Sequence, residues 1–250
     1  MPGRTRFRGV DGPYNPSTIR TTKGIFSAII WRGITFGTEF SRIWPMLFNS
    51  AADFSSICQT MFPKRPKEFF CDVAAYGTAN AFRTVDLAQD YWDALANDLW
   101  PSFIGHSKVG FRECYAFFRQ RTSDGSKESY LFPQLGPLGS YLLTADLVYA
   151  GVVLEPSIDD IAWLVRELNR GAAAALEDLG LIPPRATAQG NARKPELSAC
   201  RNAIQHVYNI LISTIPVELR NTLCIDYISL EHALCKFSRA TKKGWLTSGE

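Results

Sequence analysis

Apolar residues recur at three- and four-residue steps through most of this chain. Ile25, Phe26, Ile29, Ile30, Ile34, Phe40, Ile43, Trp44 and Leu47 form the first such run, with Arg32, Glu39 and Arg42 interleaved, the spacing of an amphipathic helix. Gly33, Gly37 and Pro45 interrupt the run, so the pattern predicts a kinked helix or two helices. The interleaved charges leave no apolar stretch long enough to span a bilayer. A short amphipathic stretch at 53–62 closes on Phe62–Pro63, followed by the basic, proline-punctuated PKRPKE. A third helical pattern covers roughly 70–100 and turns acidic at its far end, where Pro101 is expected to stop it.

Residues 111–132, FRECYAFFRQRTSDGSKESYLF, alternate around SDGS. Asp-Gly between aromatic runs is a strong short-range hairpin signal, so this segment predicts one small β-hairpin over about 111–132. Helical spacing returns with SYLLTADLVYAGVV. Ser157 then opens the clearest helix, with Asp159 and Asp160 placed to favour its positive end. Its stripe runs from Ile158 through Ile161, Leu164, Val165, Leu168, Ala172 and Leu176 to Leu179, and Gly180 is expected to end it. Residues 183–195 form a polar, proline-bearing linker. Two helices close the chain, ELSACRNAIQHVYNILIST and VELRNTLCIDYISLEHALCKF, the second with Leu219, Leu223, Ile228, Leu230, Leu234 and Phe237 as its apolar positions.

The expected fold is therefore mainly α, a multi-helix globular bundle with one small β-hairpin. The expected organisation is an extended basic arm at 1–24, a helical body at 25–182, and the linker at 183–195. A C-terminal helical pair at 196–237 would pack back on the body, because two helices alone bury too little surface. A basic tail covers 238–250.

Composition narrows the classes. The 250 residues are 46% hydrophobic and 20% charged, which excludes a disordered or fibrous chain. Six cysteines lie widely spaced without a CxxC, and the three histidines form no close pairs with them, so zinc is not expected. No secretory signal heads the chain, and the irregular cysteines suit a reduced interior. The expected compartment is intracellular, cytoplasmic or nuclear. The arginine-rich arm makes mitochondrial import the alternative, against which its prolines and glycines stand.

Charge is segregated. Residues 1–24 carry a net +4 and residues 236–250 a net +3, leaving −4 between them. Arg4, Arg6, Arg8, Arg20, Lys23, Arg239, Lys242 and Lys243 are thus the candidate contacts to an acidic partner or to phosphates, where each neutralised charge releases a counterion. A helix-turn-helix reading of 140–171 fails on charge, because Asp159 and Asp160 would stand where base-reading residues are needed. No GxSxG, GxxxxGK[ST], HExxH or GxGxxG occurs, and no cofactor is expected. The carboxylates Asp86, Asp90 and Asp93 share a helical face, and Cys71 or Cys114 could pair with a distant histidine. These are the candidates for an enzyme with an unrecognised site. The reading that accounts for most of these features is a non-enzymatic helical interaction or scaffold protein, engaging a protein partner or a second copy of itself. Sequence-independent coating of RNA or DNA, as in coat or nucleocapsid proteins, is the alternative.

Overall fold

The computed structural model describes residues 12–35, 47–61, 63, 84–124, 127–186 and 192–244. Among them are eleven α-helices and one two-stranded antiparallel sheet, so the protein is mostly helical with a small β-hairpin. The chain divides into two compact units, Met1–Glu155 and Pro156–Glu250. The polar segment 183–195 belongs to the second.

In the first unit, Gly12–Arg20 forms successive turns with Tyr14 and Ile19 buried, and α1 (Thr22–Ile30) follows, capped by the Thr21 hydroxyl on Gly24 N at 3.2 Å. The expected kink takes the form of a π turn at Trp31–Thr35, an irregularity that helices accommodate within a single turn. Every residue from Gly24 to Thr35 is buried, as suits a helix enclosed on all sides. Gly33 is required there, because a Cβ would lie 2.8 Å from the Tyr91 hydroxyl. The predicted continuation through Phe40 to Trp44 lies outside the described residues.

Helix α2 (Ala51–Met61) buries Phe54 and Cys58. The pattern read over 70–100 is described from Thr84 onward. It yields α3 (Leu87–Ala94) and then α4 (Leu99–Ile104), separated by Asn97 and Asp98 at φ 56° and 53°. Two consecutive left-handed residues end a right-handed helix. Pro101 does not stop the pattern but sits in the first turn of α4, where its missing N–H removes no helical hydrogen bond.

The hairpin is narrower than expected. Phe111–Phe118 is helix α5, not a strand. Phe111, Cys114, Tyr115, Phe117 and Phe118 fall on one helical face and all are buried, while the Glu113 carboxylate reaches back to Gly110 N at 3.3 Å. Strands β1 (Arg121–Asp124) and β2 (Lys127–Tyr130) pair from Arg121 with Tyr130 to Asp124 with Lys127. The unit closes with α6 (Pro137–Tyr149), whose Asp146 forms a fully buried ion pair with Arg32.

The second unit begins as predicted at its N-cap. Ser157 Oγ accepts from Asp160 N at 3.2 Å and Asp160 Oδ2 accepts from Ser157 N at 2.9 Å, opening α7 (Ile158–Leu168). The stripe to Leu179 is nonetheless two helices, because Asn169 adopts φ 47° and closes the first. Helix α8 (Gly171–Asp178), with Ala172–Ala175 buried, packs against the last helix, α11 (Tyr227–Lys242). The approach is close enough that a Cβ on Gly171 would meet Cys235 Sγ at 2.9 Å. Between these helices come α9 (Leu197–Thr214), packed on α7 through Cys200, Ala203 and Ile204, and α10 (Val217–Leu223).

The final predicted helix is also two. Cys224, at φ 48°, ends α10, and Asp226 starts α11 by accepting from Ser229 N at 2.6 Å. In the polar segment Arg185 is buried, with Nε 2.9 Å from Glu177 Oε2 and Nη1 2.5 Å from Asn169 Oδ1. Hydrogen bonds from the Arg185 backbone and guanidinium hold the Glu177 carboxyl below the usual carboxylate range.

Candidate interaction surfaces

The second unit carries a cluster of exposed aliphatic side chains. The first half of α9 is fixed by Cys200, Ala203 and Ile204, but beyond Gln205 the helix is at most half-buried. Ile210 is 48% exposed, Val217 53%, Leu219 46% and Leu223 51%. Burial is the ordinary fate of these residues, and exposed apolar surface gathered on neighbouring helices is the mark of a contact surface. Between α9 and α10 lies a groove of about 320 Å³ lined by Ile212, Val217, Arg220, Cys224 and Ile225. Arg220 Nε is enclosed there, with no hydrogen-bond partner among the described residues. The Tyr208 and Tyr227 rings, 4.7 Å apart, hold α9 to the start of α11, so the patch sits on a fixed frame.

The basic residues read from the sequence separate into three groups. Arg4, Arg6 and Arg8 lie outside the described residues. Arg20 is half-buried and its Nη1 donates to the carbonyls of Ile104, Gly105 and Ser107 at 3.2, 2.7 and 3.1 Å, capping the C-terminal end of α4. Lys23 is exposed on the first turn of α1. Arg239, Lys242 and Lys243 are exposed at the end of α11, joined by Lys236. Cations in that position also offset the partial negative charge of a helix C-terminus.

A further basic cluster lies at the hairpin. The guanidinium carbons of Arg119 and Arg121 stand 4.3 and 5.2 Å from the centre of the Tyr130 ring, and both residues donate through Nη2 to its hydroxyl, at 3.0 and 3.4 Å. The hydrogen bond from Arg121 and the positive charge of Arg119 pull the Tyr130 pKa below its ordinary value. Sequence reading passed over this trio, although the Asp-Gly turn sets Arg121 opposite Tyr130 once the register is counted.

The reactive groups are dispersed. Cys71 lies outside the described residues. Burial raises the Cys114 and Cys235 thiols well above the ordinary range, Cys58 to about 12 and Cys200 to about 11, the opposite of what a thiolate nucleophile needs. Asp86, Asp90 and Asp93 are all exposed, with Gln89 Nε2 donating to Asp93 at 2.8 Å. His106 and His206 are exposed, and His232 Nδ1 lies 2.8 Å from the Ile228 carbonyl of its own helix. Among the described residues no three His, Cys, Asp or Glu side chains are grouped to hold a metal ion, and no helix is long and apolar enough to cross a membrane.

Comparison with protein-family models, curated proteins and solved structures finds no match. The chemistry of the surfaces must therefore carry the reading. The α9–α10 patch escaped the sequence analysis because Leu219 and Leu223 scan as an ordinary core stripe. Its available signal was the aliphatic density of 207–225, far more than one short helix can bury in its own unit.

Proposed function

We propose that this chain is a non-enzymatic helical interaction protein that engages a macromolecular partner through the α9–α10 patch. The observation that supports it is the exposure of Ile210, Val217, Leu219 and Leu223 beside a groove enclosing a guanidinium nitrogen that has no partner among the described residues. Aliphatic surface of this kind gains free energy by leaving water. A photocrosslinking residue placed at position 219 is expected to give a discrete higher-mass adduct in cells. The same residue at the exposed position Ala233 serves as the control. Absence of an adduct from position 219, or equal adducts from both positions, refutes the reading.

A second reading, binding of nucleic acid without regard to sequence, is favoured by the hairpin trio and the end of α11. An exposed tyrosine beside arginines suits base stacking and phosphate neutralisation together. Fluorescence anisotropy with single-stranded RNA and duplex DNA at two salt concentrations tests it, binding being expected to fall steeply with salt. Replacing Arg239, Lys242 and Lys243 by glutamine is expected to flatten the duplex log–log salt slope by roughly 3, about one per phosphate left unneutralised. Absence of binding at low salt removes nucleic acid.

A further inference from the structure

We infer that the occupant of the α9–α10 patch is a second copy of this chain, joined along α10 about a two-fold axis. This rests on the interaction reading above and names its partner.

Leu219 and Leu223 are four residues apart and so share one helical stripe, both close to half exposed. Successive helix positions turn by about 100°. Glu218 and Arg220 therefore stand on opposite flanks of the Leu219 ridge. Glu218 is exposed and no side-chain hydrogen bond or ion pair engages its carboxylate among the described residues. Arg220 is half-buried, and among the described residues its Nε has no acceptor. Two opposite charges, one on each flank of an exposed leucine ridge, are thus left incomplete among the described residues.

A two-fold axis running along α10 completes them. It sets Leu219 and Leu223 against their counterparts and carries each flank of the helix to face the opposite flank of the partner. Glu218 of each copy then faces Arg220 of the other, giving two symmetry-related ion pairs around an aliphatic seam. Such a contact is isologous, the same patch serving both subunits, and closes as a dimer without propagating. A seam built on one seven-residue helix falls short of the roughly 20–30 residues a side of a standard interface, so the dimer is expected to be weak and concentration-dependent.

Sedimentation equilibrium of the purified full chain over a wide concentration range reads the result. The wild type is expected to shift from monomer to dimer. Leu219→Glu is expected to raise the dissociation constant about tenfold or more, the effect of withdrawing one aliphatic side chain from the seam. Glu218→Arg and Arg220→Glu should each weaken the dimer through like-charge repulsion, and the double exchange in one chain should restore it. Circular dichroism confirms that each variant keeps the wild-type helix content. A monomer at every concentration, a dimer indifferent to Leu219→Glu, or a double exchange that stays weak each overturns the inference. An adduct from position 219 whose mass is not twice the chain would leave the interaction reading standing and refute self-pairing alone.

Discussion

Asp146→Asn is expected to destabilise the first unit by about 3–5 kcal/mol, the usual cost of removing one partner from a buried ion pair. Arg32 and Asp146 are 2% and 0% exposed. The guanidinium meets the carboxylate through two parallel hydrogen bonds, Nε to Oδ2 and Nη2 to Oδ1, the latter at 2.6 Å. Tyr14 adds a third from its hydroxyl to Oδ2 at 3.2 Å. An amide at position 146 offers one acceptor oxygen and no charge, leaving a guanidinium in an interior that water does not reach. The double variant Arg32→Met with Asp146→Leu removes both charges together and is expected to recover most of the stability. Urea unfolding, with hydrogen exchange assigning the transition to α1 and α6, checks both. A single-variant cost below about 1 kcal/mol would mean that the pair is solvated, as surface pairs are.

The second large effect is expected at Trp100, where truncation to alanine should cost about 3–5 kcal/mol. This indole is fully buried and its ring lies 5.7, 5.4 and 5.7 Å from those of Phe103, Phe117 and Phe118. Removing it opens a cavity walled by three rigid rings with little freedom to collapse. Its Nε1 also donates to the Ile19 carbonyl at 2.8 Å. Trp100→Phe keeps most of the apolar area and forfeits that bond, so it should cost only about 1–3 kcal/mol. Thermal unfolding followed in the far ultraviolet measures both variants. Equal costs from the two would place the energy in the hydrogen bond and not in the packing.

Much of the fold could be read from residue spacing, and the failures have specific causes. Periodicity identified the helical class, and Ser157 announced a cap because that signal is local. Helix breaks were harder. Asn97, Asp98, Asn169 and Cys224 each take a left-handed conformation, which costs a non-glycine residue energy and is offset by surroundings that sequence order does not display. Phe111–Phe118 was read as a strand because aromatic density and the nearby Asp-Gly turn outweighed a helical spacing of only two turns. Arg32 scanned as a charge interrupting an apolar run, although it is the most deeply committed cation described. The candidate surface was the least legible feature. Periodicity shows which positions share a face and carries no information on whether anything covers that face.

The turns before α1 also bear on the order of synthesis. The Ile19 carbonyl meets Trp100, Arg20 caps a helix that ends at Ile104, and the Tyr14 hydroxyl meets Asp146. Tyr14 and its acceptor are 132 positions apart. A nascent chain therefore leaves the Tyr14 hydroxyl without this acceptor until Asp146 has been synthesised. Closure over such separations is slow, so these contacts are expected to form late in the folding of the first unit. Nascent chains stalled before Asp146 should hold Arg32, in the π turn that follows α1, still wet and open to chaperones, a vulnerability that ends once α6 has emerged to supply its carboxylate.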